Sequence, residues 1–210
     1  MKTLAISEIE LVNPLTYVAY RALVEEVVEQ KTTTGDEPTP ERIDFTKLNL
    51  QRMKRVEKQF ALTPELGKLL QTHQPDWKWL VLVEAWCGDG AQLVPAMAGI
   101  AEEIPSIELT ILLRDQNPAL MDTCLSNGAR AICLDAATGE HLFTWGARPT
   151  AIQEQLLGYK AENPDATHEQ LMTQVHTWYA KDRSRAFQQD LLALVQQAVA
   201  TAQLNPEAAV

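Results

Sequence analysis

Residues 84–92 read EAWCGDGAQ and follow the apolar run Leu80, Val81, Leu82 and Val83. A strand that ends here and hands over to a helix can serve two chemistries. In one, backbone at Gly88 and Gly90 approaches a nucleotide or S-adenosylmethionine. In the other, the sulfur of Cys87 stands at a helix start, where unpaired amides and the positive end of the helix dipole favour thiolate over thiol. The rest of the chain decides between them.

Working outward, Trp79 to Glu84 is apolar enough for a strand buried on both faces, 87–103 has the pattern of a helix, and Ile107 to Leu113 (IELTILL) reads as a second buried strand. This is a βαβ unit. Pro95 falls inside the helix, eight residues after Cys87, and should kink it by removing a backbone donor. Downstream, a short helix is expected over Pro118 to Leu125 and a break at Asn127-Gly128. Two short strands, 131–134 and 140–145, joined by DAATG then read as a hairpin, with helices to the C-terminus. Upstream, Tyr17, Tyr20, Val24, Val27 and Val28 recur at helical spacing until TTTGDEPTP stops the pattern. A second helix spans about 42–60, and Thr63-Pro64-Glu65 opens a third. The fold class is therefore α/β. Residues 1–75 are expected to form a helical N-terminal extension packed on a core of residues 76–205, as one structural unit.

Composition narrows the function classes. The 210 residues carry a net charge of -10, which opposes non-specific binding to nucleic acid. Arg52, Lys54, Arg55 and Lys58 lie close together and read as the solvated face of a helix. No stretch approaches a membrane span, and the N-terminus has too many acids for a signal peptide. Three cysteines do not make a disulfide framework and fit a reducing compartment, so a cytoplasmic location is expected. The four histidines match no zinc spacing, and His168 and His176 read as surface residues of the terminal helices. No metal and no cofactor is expected.

The glycine reading rests on Glu84, Gly88, Gly90 and Asp115, at spacings superficially similar to the first motif of Rossmann-class methyltransferases. Trp86 stands where that motif needs its first glycine, and its β-carbon opposes the tight turn. Fewer than a hundred residues follow Asp115, with no further βα units in their pattern. This reading ranks third.

Trp86-Cys87-Gly88, a helix with its proline, then strand, helix and hairpin, resemble the thioredoxin fold. More specifically KTTTGDEPTP, FTKLNLQRMKR, VEAWCGDGAQ, LLRDQNPALMD and TWGARP, in this order, resemble an uncharacterised bacterial family of thioredoxin-like proteins over roughly residues 15–185. The resemblance implies a thioredoxin-like sheet with added helices and a site built around Cys87. The lining it implies is Trp86, Gly88, Asp89 and Gly90 from the motif, and Arg130, Ala131 and Ile132 from the loop and strand opposite.

Three departures shape the expected chemistry. Position 90 is glycine, so the second thiol of a dithiol motif is absent and Cys87 can act only as a monothiol, resolved by a small thiol, Cys124 or Cys133. Each of those two cysteines also reads as a buried structural residue. The stretch NGARAICLD holds no proline where the family places a cis one, so an all-trans connection is expected. Val81 replaces the family's buried acid, Glu84 lies closer in sequence, and Asp89 opposes thiolate formation by its charge. An iron-sulfur cluster shared between two Cys87 thiolates, as in monothiol glutaredoxins, is a remote alternative. Arg114, Asp115 and Arg148 either line a site at the strand ends or, for the first two, pair on the surface. Trp86 reads as a recognition residue beside the thiol, while Trp79 and Trp145 read as core. The expected activity is monothiol thiol-disulfide exchange through Cys87 with a low-molecular-weight thiol or a protein disulfide. The competing class is a non-catalytic thioredoxin-fold binding protein.

Overall fold

A computed structural model describes residues 6, 9–124 and 131–204, the side chains of 122–124 and 202–204 excepted. Three helices come first: α1 (Tyr17–Glu29), α2 (Pro40–Gln59) and α3 (Pro64–His73). Their starts follow from local chemistry. Thr16 and Thr39 cap α1 and α2 by accepting from Ala19 N (3.2 Å) and Arg42 N (3.3 Å), and prolines with preset φ open α2 and α3.

The centre is β1 (Trp77–Val83), α4 (Gly88–Glu103) and β2 (Ile107–Leu113), which form the βαβ unit. A single 3-10 turn (Arg114–Gln116) and α5 (Pro118–Cys124) lead to the hairpin of β3 (Ala131–Asp135) and β4 (His141–Trp145). Asp135 Oδ1 accepts from Ala137 N, Thr138 N and Thr138 Oγ1, and Gly139 takes φ +72°, so DAATG closes the hairpin by its own side chains. The chain then adds α6 (Thr150–Glu162), α7 (His168–Asp182) and α8 (Arg185–Leu204).

The four strands lie in the order β2-β1-β3-β4, with β1 and β2 parallel and the other pairings antiparallel. This mixed α/β architecture is a thioredoxin-like fold with helical additions. It offers no continuing parallel βα units after Asp115 among the described residues, which the nucleotide-site alternative requires. Alternation along β1 sorts the core. Trp79, Val81 and Val83 join the large cluster under α1–α4 and α8, whereas Leu80 and Leu82 face Leu120 and the N-terminal Ile9 and Leu11. Leu15 pairs with Ile111 through two 2.8 Å backbone bonds and ties the N-terminal segment to β2. Phe60 fills the space beside Gly99, and α2 thereby packs directly on α4. The connection through 125–130, on which the all-trans expectation falls, lies outside the described residues. Among the described residues, no helix is long and apolar enough to cross a membrane.

The 31–40 loop enters the core through Thr33 and Thr34, both buried, and turns at Gly35 with φ +88°. A Cβ there would lie 2.7 Å from Asp115 Oδ2, which already accepts from Asp36 N. Gly35→Ala therefore combines backbone strain with a collision and is expected to cost about 1–3 kcal/mol, read as a lower urea midpoint.

Candidate functional site

β1 delivers the chain to Glu84, and the Cys87 amide donates to the Glu84 carbonyl (2.9 Å) to turn it into α4. Cys87 is the N-cap residue, with φ -73° and ψ 111°, and its carbonyl accepts from Ala91 N (3.0 Å). Its sulfur caps no amide, and the residue is 8% exposed. The first amides of α4 have no partner within the helix. Gly90 is a packing glycine: the space of its Cβ is taken by Val83 Cγ2 and lies 3.6 Å from Cys87 Sγ. At Gly88 that space is taken by the His176 ring, 2.8 Å away. Both glycines thus serve close packing around the thiol.

Three helices close around the Cys87 motif. From α1 comes Tyr20, 2% exposed, whose phenol is driven up by burial and then by the charges of Cys87 and Glu84. From α2 come Asn49, whose amide donates to the Ala85 carbonyl (2.9 Å), and Arg52, whose Nη1 donates to Asn49 Oδ1 (2.7 Å). From α7 come His176 and Tyr179. Asp89 knits them together: it takes Arg148 bidentately (3.0 and 2.9 Å) and accepts from the Tyr179 hydroxyl at 2.8 Å. The Asp89 carboxylate is thus ion-paired where it stands. Burial pulls the Arg148 guanidinium down, but Asp89 outweighs it and holds that cation above its ordinary value.

His176 Nδ1 meets Gln92 Nε2 at 3.2 Å. Burial first, and then the neighbouring Arg52, push its pKa down to about 4, so the ring is neutral at pH 7. His176 is not the surface residue expected from the sequence. Nor do Arg52, Lys54, Arg55 and Lys58 together form a solvated face, since Lys54 and Lys58 are exposed while Arg52 and Arg55 turn toward α4.

Glu84 lies on the other side of the turn, 2% exposed. Its Oε1 accepts from Asp115 N (2.9 Å), while its Oε2 has no partner. Burial raises its pKa, helped by the Asp115 charge; the Thr34 hydroxyl and the Asp115 amide pull it partly back. Arg114 pairs with Asp115 at 2.8 Å. The Trp86 ring lies under the guanidiniums of Arg42 (4.6 Å) and Arg114 (5.0 Å), and its Nε1 is buried without a partner near Gly35. Trp86 is therefore stacked between α2 and the turn that follows β2. Trp79 and Trp145 are buried, as core residues.

The opposite strand is only partly brought in. Ala131 pairs with Val81 and shares the large cluster with Cys87, but Ile132 faces the smaller cluster across the sheet. Cys133 pairs with Trp79, four residues and roughly 13 Å of strand before Val83. Burial pushes its thiol up. Arg130 and the Cys124 side chain lie outside the described residues. Among the described residues, no group of three His, Cys, Asp or Glu is arranged to hold a metal.

A βαβ unit followed by an antiparallel hairpin, with a cysteine capping the crossover helix, defines the thioredoxin-fold class. Residues 37–171 match the family model described as Thioredoxin, and the chain belongs to that family. No curated protein matches it. Two solved structures share the fold. A crystallised HIV epitope-scaffold is 20% identical with a TM-score of 0.51, over 73% of this chain and 90% of the scaffold. A protein of unknown function from Pseudomonas aeruginosa is 19% identical with a TM-score of 0.51, over 88% of this chain and 99% of that one.

The sequence reading missed His176, Tyr179 and Arg52 as site residues. The signal available was the spacing of Met172, Val175, His176 and Tyr179 on one face of α7. Two outcomes test this geometry. Gly90→Ala is expected to lower stability by about 1–3 kcal/mol in urea denaturation, with part of the loss recovered in Gly90→Ala/Val83→Ala. The depressed His176 pKa means that the unfolded chain binds a proton there before the folded one does. Its contribution to stability is complete above about pH 6.5 and is lost as pH falls toward about 4. His176→Asn is therefore expected to flatten the fall in urea midpoint between pH 7 and pH 5 relative to wild type.

Proposed function

We propose that this protein carries out monothiol thiol-disulfide exchange through Cys87. The observation that supports the reading is the position of Cys87 at the N-cap of α4, with position 90 closed to any second side chain by Val83. The Cys87 thiolate attacks one sulfur of a disulfide R–S–S–R. A bond forms between Cys87 Sγ and that sulfur, the R–S–S–R bond breaks, and the departing RS⁻ takes a proton from water. A different thiolate, R′S⁻, then attacks the mixed disulfide at the substrate sulfur, which restores the Cys87 thiolate and releases R–S–S–R′. The start of α4 and Arg52 place positive potential beside the motif, while neutral His176 adds no charge. Cys133, held inside the sheet opposite Trp79, is placed for packing more than for resolving this intermediate. Cys124 keeps its alternative role as a resolving thiol.

One observation favours the second class, a thioredoxin-fold binding protein without catalysis. Cys87 is 8% exposed, with Tyr20 and Tyr179 among the groups whose charge it affects and His176 against the adjacent Gly88, so little of it is open to a substrate. Intact mass spectrometry after incubation with 2-hydroxyethyl disulfide separates the two. A protein with Cys124→Ser and Cys133→Ser is expected to gain one mercaptoethanol adduct in the native state and to lose it on adding dithiothreitol. Cys87→Ser in that background is expected to gain none. An adduct that forms only in denaturant would leave the binding reading.

A further inference from the structure

Arg52 and Arg55 leave α2 three residues apart and reach the start of α4 from one side. Arg52 Nη1 lies 3.6 Å from the position a Cβ would take on Gly88, the residue next to the nucleophile. Arg55 Nη2 donates to Gln92 Oε1 at 2.8 Å, on the next turn of α4. Both are half-buried, and both have only neutral acceptors. Among the described residues, no carboxylate stands within ion-pair distance of either.

That omission stands out in a chain with 28 acidic and 18 basic residues. At the same helix start the fold neutralises Arg148 fully, and in doing so it commits Asp89. Two like charges are left near each other in a partly dehydrated place; burial and then Arg55 lower the Arg52 pKa to about 10, although the Asp89 charge, already paired with Arg148, offsets part of this from beyond ion-pair distance. Half-buried guanidiniums held by neutral side chains keep free donors in the fork geometry that matches a carboxylate. A ligand that brings the missing negative charge relieves both the repulsion and the desolvation.

We propose that Arg52 and Arg55 bind the carboxylate of a small thiol or disulfide that exchanges with Cys87, so that the substrate class is the anionic low-molecular-weight disulfides. The inference rests on the exchange reading, and two experiments keep their failures apart. Three dialkyl disulfides of similar size differ in charge: dianionic 3,3'-dithiodipropionate, neutral 2-hydroxyethyl disulfide and dicationic cystamine. Rates of mixed-disulfide formation at Cys87 are measured by mass spectrometry in the Cys124→Ser/Cys133→Ser protein. The dianion is expected to react at least tenfold faster than the dication, with a ratio that shrinks in high salt. Arg52→Gln is expected to cut that ratio about tenfold, and Arg52→Lys to restore part of it. Because the readout is a ratio, a general loss of folding or reactivity cancels.

The second experiment is calorimetric binding of the unreactive thioether 3,3'-thiodipropionate to the Cys87→Ser protein, which is expected to be lost in Arg52→Gln. Exchange without charge preference overturns the anion site and leaves the exchange reading standing. No exchange, but thioether binding that depends on Arg52, overturns the exchange reading and supports the anion site. Neither exchange nor binding overturns both.

Discussion

The arrangement around Cys87 depends on the ion pair between Asp89 and Arg148. The two side chains are 11% and 16% exposed and meet bidentately, with the Tyr179 hydroxyl as a third contact. One carboxylate in the first turn of α4 thereby holds the 145–149 loop and α7 to the same point. A pair so buried contributes little net stability relative to a well-packed apolar alternative, but removing one partner strands the other charge at a cost of about 3–5 kcal/mol. Its main effect is to fix position.

Around that pair, α4 is held to the sheet by absence of volume. Val83 occupies the place of a Gly90 side chain, His176 that of a Gly88 side chain, and Phe60 that of a Gly99 side chain. Each glycine lets a different layer close on α4: the sheet below, α7 above and the end of α2 at the far side. The absence of a second thiol is thus bound up with packing, since a cysteine at 90 would have to displace the Val83 side chain. The same closeness explains why Cys87 is nearly covered. The side chains around the motif come from α1, α2 and α7, and among the described residues Arg52 and Arg55 have no ion-pair partner.

On the other side of the turn, the 31–40 loop, Glu84, Trp86 and Asp115 form a separate polar cluster. It joins the N-terminal helices to the strand ends through Thr34 bonding to Ala85 N (2.8 Å) and Asp36 N bonding to Asp115 (3.2 Å). Glu84 is the buried acid nearest the motif, yet its carboxylate is held by the Asp115 amide and turned toward Gly35. Closeness in sequence to Cys87 did not set where that carboxylate points.

What the sequence determined by itself was everything that local pattern controls. Apolar runs set β1 and β2, the Asp135 and Gly139 turn set the hairpin, threonine caps and prolines set the helix starts, and Cys87 fell at the head of α4 because strand, turn and helix periods meet there. These depend on interactions within a few residues, so they can be read from a short window. Only the tertiary structure decided which distant side chains surround the thiol. His176 and Tyr179 reach it across more than eighty residues, Arg52 and Arg55 could have faced water with Lys54 and Lys58, and Asp89 pairs with Arg148, 59 residues further on. Helix periodicity says that a face is buried but not against what, and the charge state of a group is set by the neighbours that packing brings to it.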